Sequence, residues 1–178
     1  MWRGASVAGR AFPVRCTGGD NLGIHVAVAN AAAGDVLVVD VGGVYAFGYW
    51  GEVLTVAAQA RGVAGLVIDG CIRDLDAIER RRFPAFARGT ALPGASKSRP
   101  GRIGHPLVWG DVQIGPGDWV VVDRDGMVVV SETDAQSVVA AAEARARNEA
   151  TMFAALETGS TTVELLDLDD AAIERGNQ

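Results

Sequence analysis

The chain has 178 residues, 49% of them hydrophobic, enough for one domain, or one with an extension, around a substantial core. Sixteen basic against 22 acidic side chains give a net charge of -6, opposite in sign to the footprint of a nucleic-acid binder. No apolar run approaches the ~20 residues of a membrane span, the N-terminus MWRGASVAGR lacks a signal-peptide core, and Cys16 and Cys71 have no metal-type spacing, so a reducing, cytoplasmic setting is expected.

Val7, Phe12 and Val14 suit a strand within residues 5 to 16, ended by the turn-like Cys16 to Asn21. A helix capped by Asp20 or Asn21 follows, with Leu22, Val26 and Ala29 on one face and Gly34 as its stop. Val36 to Val41 is apolar except at Asp40, as in a strand covered on both faces. Val44 to Trp50 reads as a glycine-flanked loop, and Gly51 to Arg61 as a helix. A second buried strand, Gly65 to Asp69, completes a βαβ unit, so the two strands are expected to be parallel. Asp74 to Ile78 starts another short helix with acidic residues at its positive end. Residues 84 to 106 hold four of the six prolines and read as loop and edge. Beyond Val108, β signals return at Val112 and Ile114, Trp119 to Val122 and Met127 to Val130, with Asp125-Gly126 as a hairpin turn. Thr133 to Gln136 reads as a capping box for a helix over 134–157, whose apolar stripe (Val138, Val139, Ala142, Ala146, Phe153, Leu156) could pack on a neighbouring subunit. The expected division is a domain over 1–160 and a tail over 161–178.

The informative residues are Gly51-Glu52 and Gly70 to Asp74, because both sets stand at strand-to-helix junctions, where ligands of open α/β sheets gather. The amides of Gly51, Glu52, Val53 and Leu54 would form an anion site, and Arg73 can grip a carboxylate with two parallel hydrogen bonds. That combination describes a pocket for a small 2-oxo acid. Asp74 and Glu52 offer hard oxygen ligands, which suit Mg²⁺ or Mn²⁺ better than zinc. The plainer readings are a surface Arg-Asp pair, a Glu52 that complements a helix dipole, and an Asp69 held by the amides of its own turn. His25 and His105 are isolated, which argues against a Ser-His-Asp or Cys-His nucleophile. Asp40-Val41-Gly42-Gly43 imitates a nucleotide or methyl-donor site, but no helix follows it directly as the dinucleotide fingerprint requires.

The segment WGEVLTVAAQARGVAGLVIDGCIRD resembles the signature of the RraA-like family, and the likeness extends to GGDNLGIHVAVANAAAGDVLVVD upstream and PGRIGHPLVWGDVQIGPGDWVVVDRDGMVVV downstream. That family contains 4-hydroxy-4-methyl-2-oxoglutarate and 4-carboxy-4-hydroxy-2-oxoadipate aldolases and regulators of ribonuclease E; some members once carried a demethylmenaquinone methyltransferase label. The resemblance implies an α/β fold, a swivelling three-layer β/β/α sandwich with a long C-terminal helix, assembled as a homotrimer. It implies that Arg73 binds the 2-oxo acid and steadies its enolate, that Asp74 anchors Mg²⁺, and that the amides of 51–54 hold the carboxylate. Glu52 falls where family aldolases carry Asp, which would shift a metal-bound water. Glu149 matches an acidic residue contributed across a subunit interface. Longer members carry a helical segment ahead of the GRAFPV strand, so a piece of the pocket or interface is expected to be lacking here. The expected activity is a metal-dependent pyruvate aldolase that also decarboxylates oxaloacetate; the rival is a non-catalytic protein that binds a ribonuclease.

Overall fold

In the computed structural model, which describes residues 4–174 and 176, the first half of the chain repeats a strand–helix unit. In order come β1 (Val7–Arg15), α1 (Leu22–Asn30), β2 (Asp35–Asp40), β3 (Gly48–Trp50), α2 (Glu52–Ala60), β4 (Gly65–Ile72), α3 (Leu75–Arg80) and β5 (Ala85–Thr90). Strands β1, β2, β4 and β5 are paired in parallel, each with the next. Because spatial order follows chain order and such crossovers are right-handed, all three helices fall on one face of the sheet. Ile24, Ala27 and Val28 of α1, Leu54 and Ala58 of α2 and Ile78 of α3 accordingly join Leu37, Val39, Leu66 and Ile68 in one core. The alternate strand residues Val36, Val38 and Val67 point to a second core on the opposite face. Burial on both faces explains why these strands read as unbroken apolar runs.

The remaining strands build that second face. They are β6 (Arg102–Ile103), β7 (Leu107–Trp109), β8 (Val112–Ile114), β9 (Trp119–Val122) and β10 (Met127–Val130). β9 pairs antiparallel with Val7 to Arg10 of β1, and β6 with Val14 and Arg15. The hairpin of β7 and β8 lays Leu107 and Ile114 over Val36, Val38 and Val67, which gives the three-layer β/β/α sandwich. Asp125-Gly126 turns β9 into β10 as expected, with Asp123 N–H bonded to Gly126 O at 3.1 Å.

Four local expectations need correction. The Val44 to Trp50 segment is not all loop: Gly48–Trp50 forms β3, because β4 runs on past Asp69 to Ile72 and offers Cys71 and Ile72 as pairing partners. Helix α1 buries Gly23, Ile24, Ala27 and Val28, while Leu22 and Val26 are exposed, so a second apolar set at helical spacing, and not the expected one, packs into the core. The buried Asn21 just ahead of the helix donates Nδ2 to Tyr49 O at 2.8 Å. The capping box at residues 133–136 is not formed; Asp134 is the N-cap and makes no side-chain cap bond, while the Thr133 hydroxyl pairs with Ser131 at 2.8 Å. Asp69 is held not by its turn but by an ion pair with Arg88 on the adjacent β5.

The chain divides into two compact units, Met1–Thr133 and Asp134–Gln178. The second contains α4 (Ala135–Glu157), none of whose residues is buried, and the short α5 (Thr162–Leu165), which does carry a capping box of Thr161 and Glu164. Residues 1–3 of the expected domain and 175, 177 and 178 of the expected tail lie outside the described residues. Among the described residues no helix is long and apolar enough to cross a membrane.

Candidate active site

The site begins with the extra length of β4. Asp69 is the last β4 residue opposite β2; beyond it Cys71 and Ile72 pair with β3 on that side and with Gly89 and Thr90 of β5 on the other. Arg73 N–H continues the pairing to Trp50 O at 2.9 Å. Asp74 then takes a left-handed backbone (φ 61°), one that Asp tolerates better than most residues, and its carbonyl accepts the amides of Ala77 and Ile78 to start α3. This turn brings the Asp74 carboxylate to the N-terminus of α2, where Oδ2 accepts the Glu52 amide at 2.9 Å.

Two glycines make the approach possible. A Cβ on Gly51 would overlap Asp74 Oδ2 and lie 3.2 Å from Arg73 Cγ; one on Gly48 would overlap Ala91 O and lie 3.2 Å from Arg73 Cδ. Arg73 therefore lies against the backbone at two positions that carry no side chain. Its Nη1 is 3.4 Å from Leu92 O and its Nε 4.0 Å from Asp74 Oδ2, and both side chains are 44% exposed. Arg73, Asp74, Leu75, Thr90, Ala91 and Leu92 line a cleft of about 220 Å³.

Of the four amides expected to hold a carboxylate, that of Glu52 is taken by Asp74. Those of Val53 and Leu54, in the first turn of α2, have no acceptor within the helix. The Glu52 carboxylate accepts from Arg81 at 3.0 Å, so the residue pairs with the C-cap of α3 as well as standing at the positive end of α2. Among the described residues no three His, Cys, Asp or Glu side chains cluster into a metal cage. Asp74 nevertheless fits Mg²⁺ or Mn²⁺: it is half-exposed, engages Glu52 through one oxygen only, and Mg²⁺ commonly binds through one or two carboxylates while keeping several waters.

The other candidates lie elsewhere. Glu149 stands on α4 in the second unit, bonded to Arg145 at 2.7 Å. Asp40, the methyl-donor imitation, is engaged by Arg15 and by the Gly42 amide of its own turn. Burial pushes the Cys16 thiol up to about 11, which removes it as a nucleophile at neutral pH. His105 is exposed, whereas half-buried His25 has its pKa lowered by desolvation and by Lys97, against an opposing pull from Asp20. One constellation was not legible as part of the site: Asp20 and the segment 91–99 that it binds. Its only trace in the sequence is Asp20-Asn21 ahead of a helix, which reads simply as a cap.

The RraA-like family model, described as aldolase/RraA, matches residues 1–129. The chain belongs to the RraA-like family. A Halalkalibacterium halodurans protein provisionally named a 4-hydroxy-4-methyl-2-oxoglutarate aldolase is 38% identical over 133 residues, 75% of this chain and 63% of that one. This RraA-like chain thus spans under two thirds of that relative's length. Among solved structures, an uncharacterized protein from Pseudomonas syringae pv. tomato is 31% identical with a TM-score of 0.81, covering 93% of this chain and 80% of that one. A Streptomyces coelicolor protein, described as an unusual member of the RNase ES inhibitor RraA protein family, is 30% identical with a TM-score of 0.74, covering 85% of this chain and 78% of that one.

Proposed function

We propose that this RraA-like chain is a divalent-metal-dependent lyase of the class II pyruvate aldolase type, which cleaves 4-hydroxy-4-methyl-2-oxoglutarate or a similar 4-hydroxy-2-oxo acid and decarboxylates oxaloacetate. The observation that supports it is that Arg73 and Asp74 line one half-exposed cleft while the Asp74 carboxylate is bonded to the N-terminus of α2. The substrate carboxylate sits against the amides of Val53 and Leu54, where the helix end favours an anion. Arg73 faces the 2-oxo oxygen. When the C4 hydroxyl loses its proton, a carbonyl forms at C4 as the C3–C4 bond breaks, and the electron pair passes into the enolate of pyruvate, which then takes a proton at C3. In decarboxylation the pair comes instead from the bond to the departing carboxylate. Arg73 stabilises the same oxyanion in both reactions, where charge develops. Mg²⁺ or Mn²⁺ held at Asp74 would supply Lewis-acid stabilisation of that charge. Glu52 receives the hydroxyl proton through a water, and Glu149 is contributed by a neighbouring copy in a homotrimer.

The test is pyruvate release from both substrates, coupled to lactate dehydrogenase, with Mg²⁺ and with EDTA, after subtracting spontaneous decarboxylation. Metal-dependent release is expected, lost in Arg73→Ala and in Asp74→Asn with the far-UV dichroism unchanged; Asn is chosen because it tolerates the left-handed backbone. Retained turnover in either variant would sink the assignment. The second reading is a regulator that docks on a ribonuclease, favoured by the likeness to the Streptomyces coelicolor protein. It predicts a stable complex with a ribonuclease and no metal dependence.

A further inference from the structure

The segment 91–99 crosses the open end of the sheet and is tied down at two points. At its near end Ala91 N–H bonds Ile72 O at 3.1 Å, Pro93 O accepts Gly48 N–H at 2.8 Å, and Leu92 O faces Arg73 Nη1 at 3.4 Å. At its far end Ser96 exchanges backbone bonds with the turn before α1, to Gly19 O and from Asn21 N–H, each 2.9 Å. Asp20 closes that far end. Its side chain is buried, at 1% exposure, and Oδ2 accepts from Ser96 Oγ (2.7 Å), Ser98 N–H (2.6 Å) and Arg99 N–H (3.0 Å), while Oδ1 accepts Leu22 N–H (2.8 Å). Burial alone would raise its pKa, but the bonds from Ser98, Leu22, Ser96 and Arg99 overcome that and hold it at about 2. The anion is therefore permanent at physiological pH, and charge-assisted bonds of this kind are the strong ones.

We infer that Asp20 is a positioning residue for Arg73: by anchoring the far end of 91–99 it keeps Leu92 and Gly94 against the guanidinium, which is thereby oriented for the 2-oxo acid before it binds. A Cβ on Gly94 would lie 3.5 Å from Arg73 Nη1, so the segment passes directly over the group it orients. Arg73 is otherwise a long, half-exposed side chain with a single backbone acceptor for its guanidinium, and an unrestrained one would lose conformational freedom on each binding event. Asp74 is anchored separately: its Oδ2 accepts the Glu52 amide at 2.9 Å, whereas Arg73 Nε approaches that oxygen only to 4.0 Å. Anchoring should thus affect the organic ligand and leave the metal alone. The inference rests on the aldolase reading for the identity of the ligand, but not for the anchoring itself.

Asp20→Asn separates the two. The amide group it introduces sets an N–H₂ against the Ser98 and Arg99 amides or, if flipped, against Leu22 N–H. In the ligand-free protein, hydrogen exchange is expected to speed up at least tenfold for the amides of 96–99 and to stay unchanged in α2. Affinity for oxalate, a mimic of the pyruvate enolate, is expected to fall at least tenfold with Mn²⁺ present, while the affinity for Mn²⁺ alone stays within twofold of the wild type. Ser96→Ala, which removes one of the four donors, should move oxalate affinity two- to threefold in the same direction and keeps the test open should Asp20→Asn fail to fold. Unchanged exchange would overturn the anchor; faster exchange with unchanged oxalate affinity, or an equal loss of Mn²⁺, would overturn the positioning of Arg73. If the wild type itself binds no oxalate, the aldolase reading falls and takes the positioning role with it, while the exchange result still decides the anchor.

Discussion

At Gly51 the absence of a side chain has a direct chemical consequence. The space a Cβ would need is filled by Asp74 Oδ2, so Gly51→Ala must push the carboxylate away from the Glu52 amide or bend the start of α2. Misplacing a reacting group by about 1 Å can cost roughly 100-fold in rate. We therefore expect Gly51→Ala to lower kcat/KM for oxaloacetate by about that factor with little change in melting temperature, as measured by the coupled assay beside calorimetry. Asp20 gives a prediction in pH. Its folded pKa of about 2 lies below the ordinary value of 3.8, so its contribution to stability is full above that value. It is lost as pH falls from about 4 towards 2. Acid unfolding followed by dichroism should start at higher pH in Asp20→Asn, the two proteins differing most above pH 4.

Among the elements, β3 is the short piece on which the site hangs. Its three residues are all buried; Trp50 stacks on Phe83 of the α3–β5 loop at 5.7 Å between centroids, and its Nε1 donates to the buried Thr55 hydroxyl of α2 at 2.8 Å. That bond fixes how far α2 stands from β3, and hence where its first-turn amides lie. Thr55→Val keeps the shape but strands the indole N–H, a loss of about 1–3 kcal/mol. Urea unfolding should register it, whereas Val53→Ala, one residue into the helix and 79% exposed, should stay within about 0.5 kcal/mol of wild type. The extents of α2 and α4 were legible in the sequence because apolar spacing and Gly stops act locally, and the start of α3 because acidic residues mark a helix N-terminus. The rotation of α1 was not: Leu22 and Val26 look as suitable for a core as Ile24 and Val28, and only packing against Leu37, Val39 and the rest of the sheet face distinguishes them.

For the whole molecule, the long helix α4 carries an apolar stripe with nothing buried: Val139 and Phe153 are 57% and 58% exposed. Exposed apolar surface of this extent on one helix suits an interface between copies, in line with the proposed homotrimer. Val139→Asp with Phe153→Asp should reduce the mass seen by light scattering to that of a single chain, with the far-UV spectrum retained. The amino-acid sequence by itself determined the strand–helix alternation, the parallel pairing of β2 with β4, the hairpin at Asp125-Gly126 and the pairing of Arg73 with Asp74 at a strand end, because each depends on neighbours within one or two elements. Only the tertiary structure decided that β4 outruns β2 and recruits β3, that Asp74 spends one oxygen on the Glu52 amide, that Arg81 takes the Glu52 carboxylate, and that Asp20 binds a segment nearly 80 residues away. Those contacts join parts of the chain that share no local pattern, and the groups that make them, a carboxylate and a few amides, look the same in a sequence whether they end a helix or hold a site together.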